Sequence, residues 1–155
     1  MKRELHVAVV MGSESDREVM AVCIEELEKL GLQCELVVQS AHRQPKATVE
    51  YVEGALQRGA KVFIAGAGMS AALPGFIASL TTKPVIGVPL ASGLPGGIDA
   101  LYSIAQMPPG VPVATVAIGK AGAKNAAILA AEILALSDDA IARRLNEMRA
   151  EWRRT

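Results

Sequence analysis

The chain has 155 residues, enough for one domain with a sizeable core, and its 16 basic and 16 acidic side chains give a formal net charge of zero. With no basic stripe and only 3% aromatic residues, nucleic-acid binding has no support and small ligands are the natural partners. The charged opening residues lack the apolar core of a secretory signal, and the greasiest stretch, 126–136, is broken by Glu132 and too short to span a bilayer, so the expectation is a cytoplasmic protein with no membrane partner.

In chain order, residues 6–11 form a valine-rich run that suits a strand buried on both faces, and the polar turn Gly12-Ser13-Glu14-Ser15 follows. Met20, Cys23, Leu27 and Leu30 then recur at helical spacing, with Gly31 just past the helix end. The unit repeats: a strand over 34–38, a loop over 40–44, and a helix that opens at Pro45, carries Val49, Val52 and Leu56, and stops at Gly59. A third strand over 62–65 leads into Gly66-Ala67-Gly68-Met69-Ser70 and a short apolar helix that ends before Pro84. A fourth strand spans 85–88. Glycines and prolines through 89–97 predict a mobile loop, a helix follows around 98–106, and a fifth strand runs over 113–118.

Strands and helices alternating at these lengths imply one parallel sheet with helices on both faces. Right-handed crossovers then carry every strand-end loop to one edge. Two more helices close the chain. The first, 125–136, is almost wholly apolar and must be buried in a core or against a neighbour; the second, 138–153, carries Ile141, Leu145, Met148 and Trp152 on one stripe. Five strands offer too little surface for both, so 1–155 is expected to be a single domain whose terminal helix packs on a neighbouring subunit of a homo-oligomer.

The chemistry concentrates at Gln39-Ser40-Ala41-His42-Arg43-Gln44-Pro45, at the C-terminal end of a strand, where open α/β sheets bind ligands. A solvated loop histidine is the plain alternative for His42. Beside it, however, Arg43 offers a planar fork for phosphate or carboxylate and Ser40 a hydroxyl, while an imidazole can both take and give a proton. His6, at the opposite edge, reads as structural. At Gly12-Ser13-Glu14-Ser15-Asp16, a capping box of Ser15 with Glu18 competes with a phosphate site made by Ser13 and the first-turn amides, and both can hold. Asp16 would repel a phosphate and suits a ribose hydroxyl instead.

Gly66-Ala67-Gly68-Met69-Ser70-Ala71 fits a dinucleotide fingerprint weakly, since it follows the third strand and no acidic residue stands about 20 positions later. Its glycines would let the backbone approach a ligand closely. Cys23 and Cys34 read as buried free thiols, and there is no Walker motif, metal-ligand cluster or nucleophile elbow.

Several blocks in one order carry a resemblance to a known family. They are Gly12-Ser13-Glu14-Ser15-Asp16, Ser40-Ala41-His42-Arg43, Ala65-Gly66-Ala67-Gly68 with Leu73-Pro74-Gly75, Pro84-Val85-Ile86-Gly87-Val88-Pro89, and Gln106-Met107-Pro108 with residues 110–118. Together they closely resemble the N5-carboxyaminoimidazole ribonucleotide mutases of purine biosynthesis, through Gly122-Ala123-Lys124-Asn125-Ala126-Ala127. The resemblance implies a flavodoxin-like three-layer αβα sandwich with extra C-terminal helices, a homo-octamer, and no metal or organic cofactor. It also implies that His42 is the catalytic histidine and that Ser13, Ser15, Asp16, Ser40, Arg43, Ala67, Gly68 and Leu73 bind the ribonucleotide.

One position departs from the family pattern: the bacterial mutases usually read Ala-Ala-His-Leu-Pro-Gly, and here Ala72 replaces that second active-site histidine. The related carboxylases that use free carbon dioxide have a shorter loop with an early arginine, so Ala67 and the loop length favour a mutase. A direct carboxylase and a ribonucleotide-binding module without turnover are the alternatives, with a flavin or nicotinamide protein more distant.

Overall fold

Valine-rich runs bounded by glycine and polar turns fold into five parallel strands: β1 (Val7–Met11), β2 (Cys34–Val38), β3 (Val62–Gly68), β4 (Val85–Leu90) and β5 (Ala114–Thr115). Their order across the sheet is β2-β1-β3-β4-β5. The computed structural model describes residues 4–154; Met1, Lys2, Arg3 and Thr155 lie outside the described residues, and with them most of the charged start considered above. The helices are α1 (Arg17–Lys29), α2 (Pro45–Gln57), α3 (Leu73–Leu80), α4 (Ile98–Ala105), α5 (Lys120–Ala135) and α6 (Asp139–Trp152).

Because strand side chains alternate, β1 feeds two cores. Val7, Val9 and Met11 meet Met20, Cys23 and Leu27 of α1 and the alanines of α5, whereas Ala8 and Val10 meet Val52 of α2, Ile77 of α3 and Ile104 of α4. The result is a flavodoxin-like three-layer sandwich. Its strand order reverses between β1 and β3, and that switch point opens a crevice at the strands' C-terminal ends. Gly31 ends α1 as expected, with a left-handed φ of 75° and its amide bonded to the Glu28 carbonyl at 2.9 Å.

Four boundaries differ from the sequence reading. β3 runs on to Gly68, because Gly66, Ala67 and Gly68 pair with Val88, Pro89 and Leu90. A Cβ on Gly66 would lie 2.4 Å from the Met20 sulfur, so that glycine lets α1 close onto the sheet. β4 correspondingly extends to Leu90, which shortens the loop expected over 89–97; a 3₁₀ turn, Pro95–Gly97, closes it. β5 has two residues instead of six: it is an edge strand paired only to β4, and the chain turns away at Gly119 (φ 76°) to begin α5.

The fourth difference concerns α5. It starts at Lys120 and is covered within the chain by the sheet, α1 and α6, so its composition does not by itself require a neighbour. Asp138 caps α6 by accepting the Ala140 and Ile141 amides at 2.9 and 3.2 Å, and Ile141 and Leu145 are buried in the same core. Trp152, at the far end of the stripe, is 58% exposed. Both cysteines are free, but only Cys23 is buried as expected; Cys34 is half-buried because β2 is an edge strand. Burial raises the Cys23 thiol far above its ordinary range and pushes Cys34 up to about 11, which disfavours the reactive thiolate at both.

Candidate active site

β1 ends at Met11, and the Gly12 amide reaches across to the Gly66 carbonyl at 3.3 Å, holding the loops after β1 and β3 together. Ser13 then caps a 3₁₀ turn, Glu14–Asp16: its Oγ accepts the Ser15 amide at 3.3 Å and lies 2.9 Å from the Ser15 Oγ. This turn overrides the capping box expected of Ser15 with Glu18. It moves the start of α1 so that Ser15 lies inside the turn, and Glu18 pairs with Lys120 at 2.7 Å. Asp16, the residue preceding α1, makes no capping bond and is 8% exposed.

Burial pushes the Asp16 carboxyl above its usual range, partly offset by a backbone hydrogen bond from Ser13. A raised folded-state pKa means that the associated stability is present below the unfolded value near 3.8 and is lost as pH rises through the folded value. Ionised Asp16 therefore weakens the fold at neutral pH. Asp16→Asn is expected to raise the melting temperature at pH 7 and to narrow the gain toward pH 4; scanning calorimetry at the two pH values checks it.

Beyond β2, the Gln39 amide bonds the Met11 carbonyl at 2.9 Å and the Gln44 amide bonds the Ser40 carbonyl at 2.8 Å. Ser40 Oγ accepts the Arg43 amide at 3.2 Å, which closes a tight turn with His42 near its apex. Pro45 occupies the first position of α2, and both the amide and the hydroxyl of buried Thr48 bond the Gln44 carbonyl at 3.1 and 3.0 Å. A fixed base thus presents exposed His42 and Arg43, and Arg43 makes no ion pair among the described residues.

All the candidate residues line one cleft of about 590 Å³: Ser13, Ser15, Asp16, Ser40, His42, Arg43, Ala67, Gly68 and Leu73. Met69, Ser70, Ala71, Ala72 and Ser92 also line it, with Gly12 and Ala41. Sequence reasoning missed Ser92, which stands in a glycine-rich stretch with no spacing to mark it. Its one signal is a hydroxyl just beyond the C-terminal end of a strand. Its Oγ would lie 1.6 Å from a Cβ on Gly68, so the close approach that Gly68 permits includes one by the protein itself.

His6 is far from this cleft and accepts the Gln33 amide on Nδ1 at 3.2 Å, the structural role expected of it. A larger groove of about 1050 Å³ lies at the opposite strand ends, lined by Leu56, Leu80, Pro84, Val85 and Val111, and Lys83 is its one ionisable residue. Size therefore does not locate the chemistry. Among the described residues there is no metal-binding cluster of His, Cys, Asp or Glu, and no helix is long and apolar enough to cross a membrane.

Fold and cleft define a flavodoxin-like α/β protein with its polar crevice at the topological switch point. The chain belongs to the AIR carboxylase family, whose model matches residues 6–155. It is 52% identical over 149 residues to the N5-carboxyaminoimidazole ribonucleotide mutase of Bacillus subtilis, covering 96% of this chain and 92% of that one. With the protein of that name from Escherichia coli K12 the identity is 52% over 143 residues, 92% and 85% of the two chains. The crystal structure of Treponema denticola PurE superposes with a TM-score of 0.83 at 30% identity, covering 96% of this chain and 92% of that one.

Proposed function

We propose that this protein is an N5-carboxyaminoimidazole ribonucleotide mutase of purine biosynthesis, moving a carboxylate from the exocyclic nitrogen to ring carbon 4. The observation that carries this reading is the convergence of His42, Arg43, Ser13, Ser40 and Asp16 on one cleft, in a chain 52% identical to proteins of that name.

In this reading Ser13, Ser40 and Arg43 hold the phosphate, Ser15 lines the ribonucleotide site beside them, and Asp16 accepts a hydrogen bond from a ribose hydroxyl. Ala67, Gly68 and Leu73 wall the base. His42 gives its proton to the nitrogen as the N–C bond breaks, leaving carbon dioxide enclosed beside the aminoimidazole. Carbon 4 then attacks the carbon dioxide, and His42 recovers a proton from carbon 4 as aromaticity returns. One imidazole ends as it began, and no metal or organic cofactor is required. Enclosure matters because carbon dioxide that escapes ends the transfer.

Arg43→Ala is expected to weaken ribonucleotide binding at least about tenfold, since hydrogen bonds to a charged group contribute about 1.5–3 kcal/mol each. Unchanged affinity by titration calorimetry would place the phosphate elsewhere. The family's description as AIR carboxylase motivates a second reading, direct carboxylation of aminoimidazole ribonucleotide by carbon dioxide. Supplying bicarbonate and aminoimidazole ribonucleotide in one assay, and the carbamate substrate in another, separates the two. A small soluble substrate supports a cytoplasmic location. The resemblance supports a homo-octamer, and light scattering that finds a monomer would remove that element.

A further inference from the structure

Ser92 reaches the cleft from the loop between β4 and α4, and what holds this loop lies outside the cleft, at Asp99 in the first turn of α4. Asp99 Oδ2 accepts the Leu94 amide at 3.1 Å. The same oxygen packs so closely on Gly93 that a Cβ there would lie 2.1 Å from it. Asp99 Oδ1 is buried with no hydrogen-bond partner. Half-exposed Asp99 stands in the first turn of α4, where a carboxylate favours the helix, and its Oδ2 also holds the loop backbone.

The loop is pinned on the cleft side as well. Met69 has a left-handed φ of 56°, the one non-glycine residue so placed among the described residues, and its Cγ would lie 3.1 Å from a Cβ on Gly93. Ser92 in turn sits against Gly68. Side chain over glycine thus occurs in both directions, Ser92 on Gly68 and Met69 beside Gly93, across the two loops that form one wall of the cleft. At the loop's far end Gly96 and Gly97 take left-handed φ values of 76° and 74°, and Gly97 lies close enough to Ala91 that a Cβ would be 3.1 Å from the Ala91 Cα. Among the described residues, Asp99 supplies the one side-chain hydrogen bond to the loop backbone between these two pinned ends.

We propose that Asp99 is a positioning residue that latches the 91–97 loop, through the Leu94 amide and Gly93, so that Ser92 seals the cleft against loss of the transferring carboxyl group. Asp99 touches no substrate; it acts through the loop. The functional half of this inference rests on the mutase reading above, whereas the latch itself does not.

Two measurements test it on the full-length protein. In Asp99→Ala, hydrogen exchange of the Leu94 amide should quicken at least about tenfold, the range expected for a lost charge-assisted bond. The carbamate substrate should then partition severalfold further toward carbon dioxide and aminoimidazole ribonucleotide at the expense of the carbon 4 product, after correction for uncatalysed loss. Asp99→Asn keeps an acceptor for Leu94 and should restore both values. Gly93→Ala, which drives a methyl group into the carboxylate from the other side, should reproduce the alanine phenotype and serves if Asp99→Ala does not fold. Wild-type exchange and partition in Asp99→Ala would overturn the proposal, as would lower turnover with unchanged partition and no rescue by asparagine. If the wild-type protein does not process the carbamate, the mutase reading fails. Leu94 exchange and the ribonucleotide dissociation rate in the same variants then decide the latch alone, both quickening if it exists and neither if it does not.

Discussion

His42→Asn is expected to lose at least about 10²–10⁴-fold in turnover, the usual contribution of a positioned general acid–base group, while still binding ribonucleotide. The turn around residue 42 is held by backbone bonds and by Ser40 Oγ, so the substitution leaves the proposed phosphate and ribose contacts in place. The chain has two histidines, and His6 is engaged by Gln33 at the far edge of the sheet. No second imidazole can stand in. Ala72, where the family resemblance leads one to expect another, contributes a methyl group to the cleft wall.

Because the two proton transfers of the proposed mechanism occur in sequence, a single imidazole suffices for it, and Ala72→His should change turnover by less than about tenfold, about 1.4 kcal/mol of barrier. Single-turnover kinetics with the carbamate substrate read both variants. A near-wild-type rate in His42→Asn, or a wild-type protein inert until residue 72 becomes histidine, would overturn the one-histidine mechanism. The second outcome would make this chain a ribonucleotide-binding module.

Truncation before Asp138 should abolish the soluble fold. α6 buries Ile141 and Leu145 in the core that contains α5, and fully burying such a side chain contributes about 1.5–3 kcal/mol. Losing both removes a large share of a typical total stability of about 5–15 kcal/mol, and it also uncovers apolar α5 surface. The expected result is aggregated or molten protein by circular dichroism and light scattering. Trp152→Ala tests the proposed homo-oligomer separately: at 58% exposure the side chain can be removed with the fold intact, and if α6 packs on a neighbouring subunit the assembled mass should fall. A soluble, fully folded truncation would mean that α6 is not needed for the core.

The layout of the sheet was legible in the chain because burial imposes period. Val7 to Met11 must serve two faces, and the spacing of Met20, Cys23 and Leu27 permits one helical face, so the βα units and the edge that gathers their loops follow from local pattern. That the candidate residues would gather at one cleft was legible for a related reason. A strand-end position is a ligand-edge position in this class of fold, and His42, Arg43, Ser13 and Asp16 all stand at such positions.

What the tertiary structure alone decided depends on groups distant in sequence. Gly66 looked like loop because nothing nearby records the Met20 sulfur that occupies the space of its missing side chain. The start of α1 shifted because Ser13 competed successfully for the Ser15 amide and Lys120, far along the chain, drew Glu18 away. α5 looked too greasy for a monomer until α6 was seen to cover it. Ser92 and Asp99 were invisible as a pair, because a carboxylate holding a loop backbone leaves no period and no motif. Period arises from burial repeated along one element, whereas a latch is a single contact between two, and only their packing brings it about.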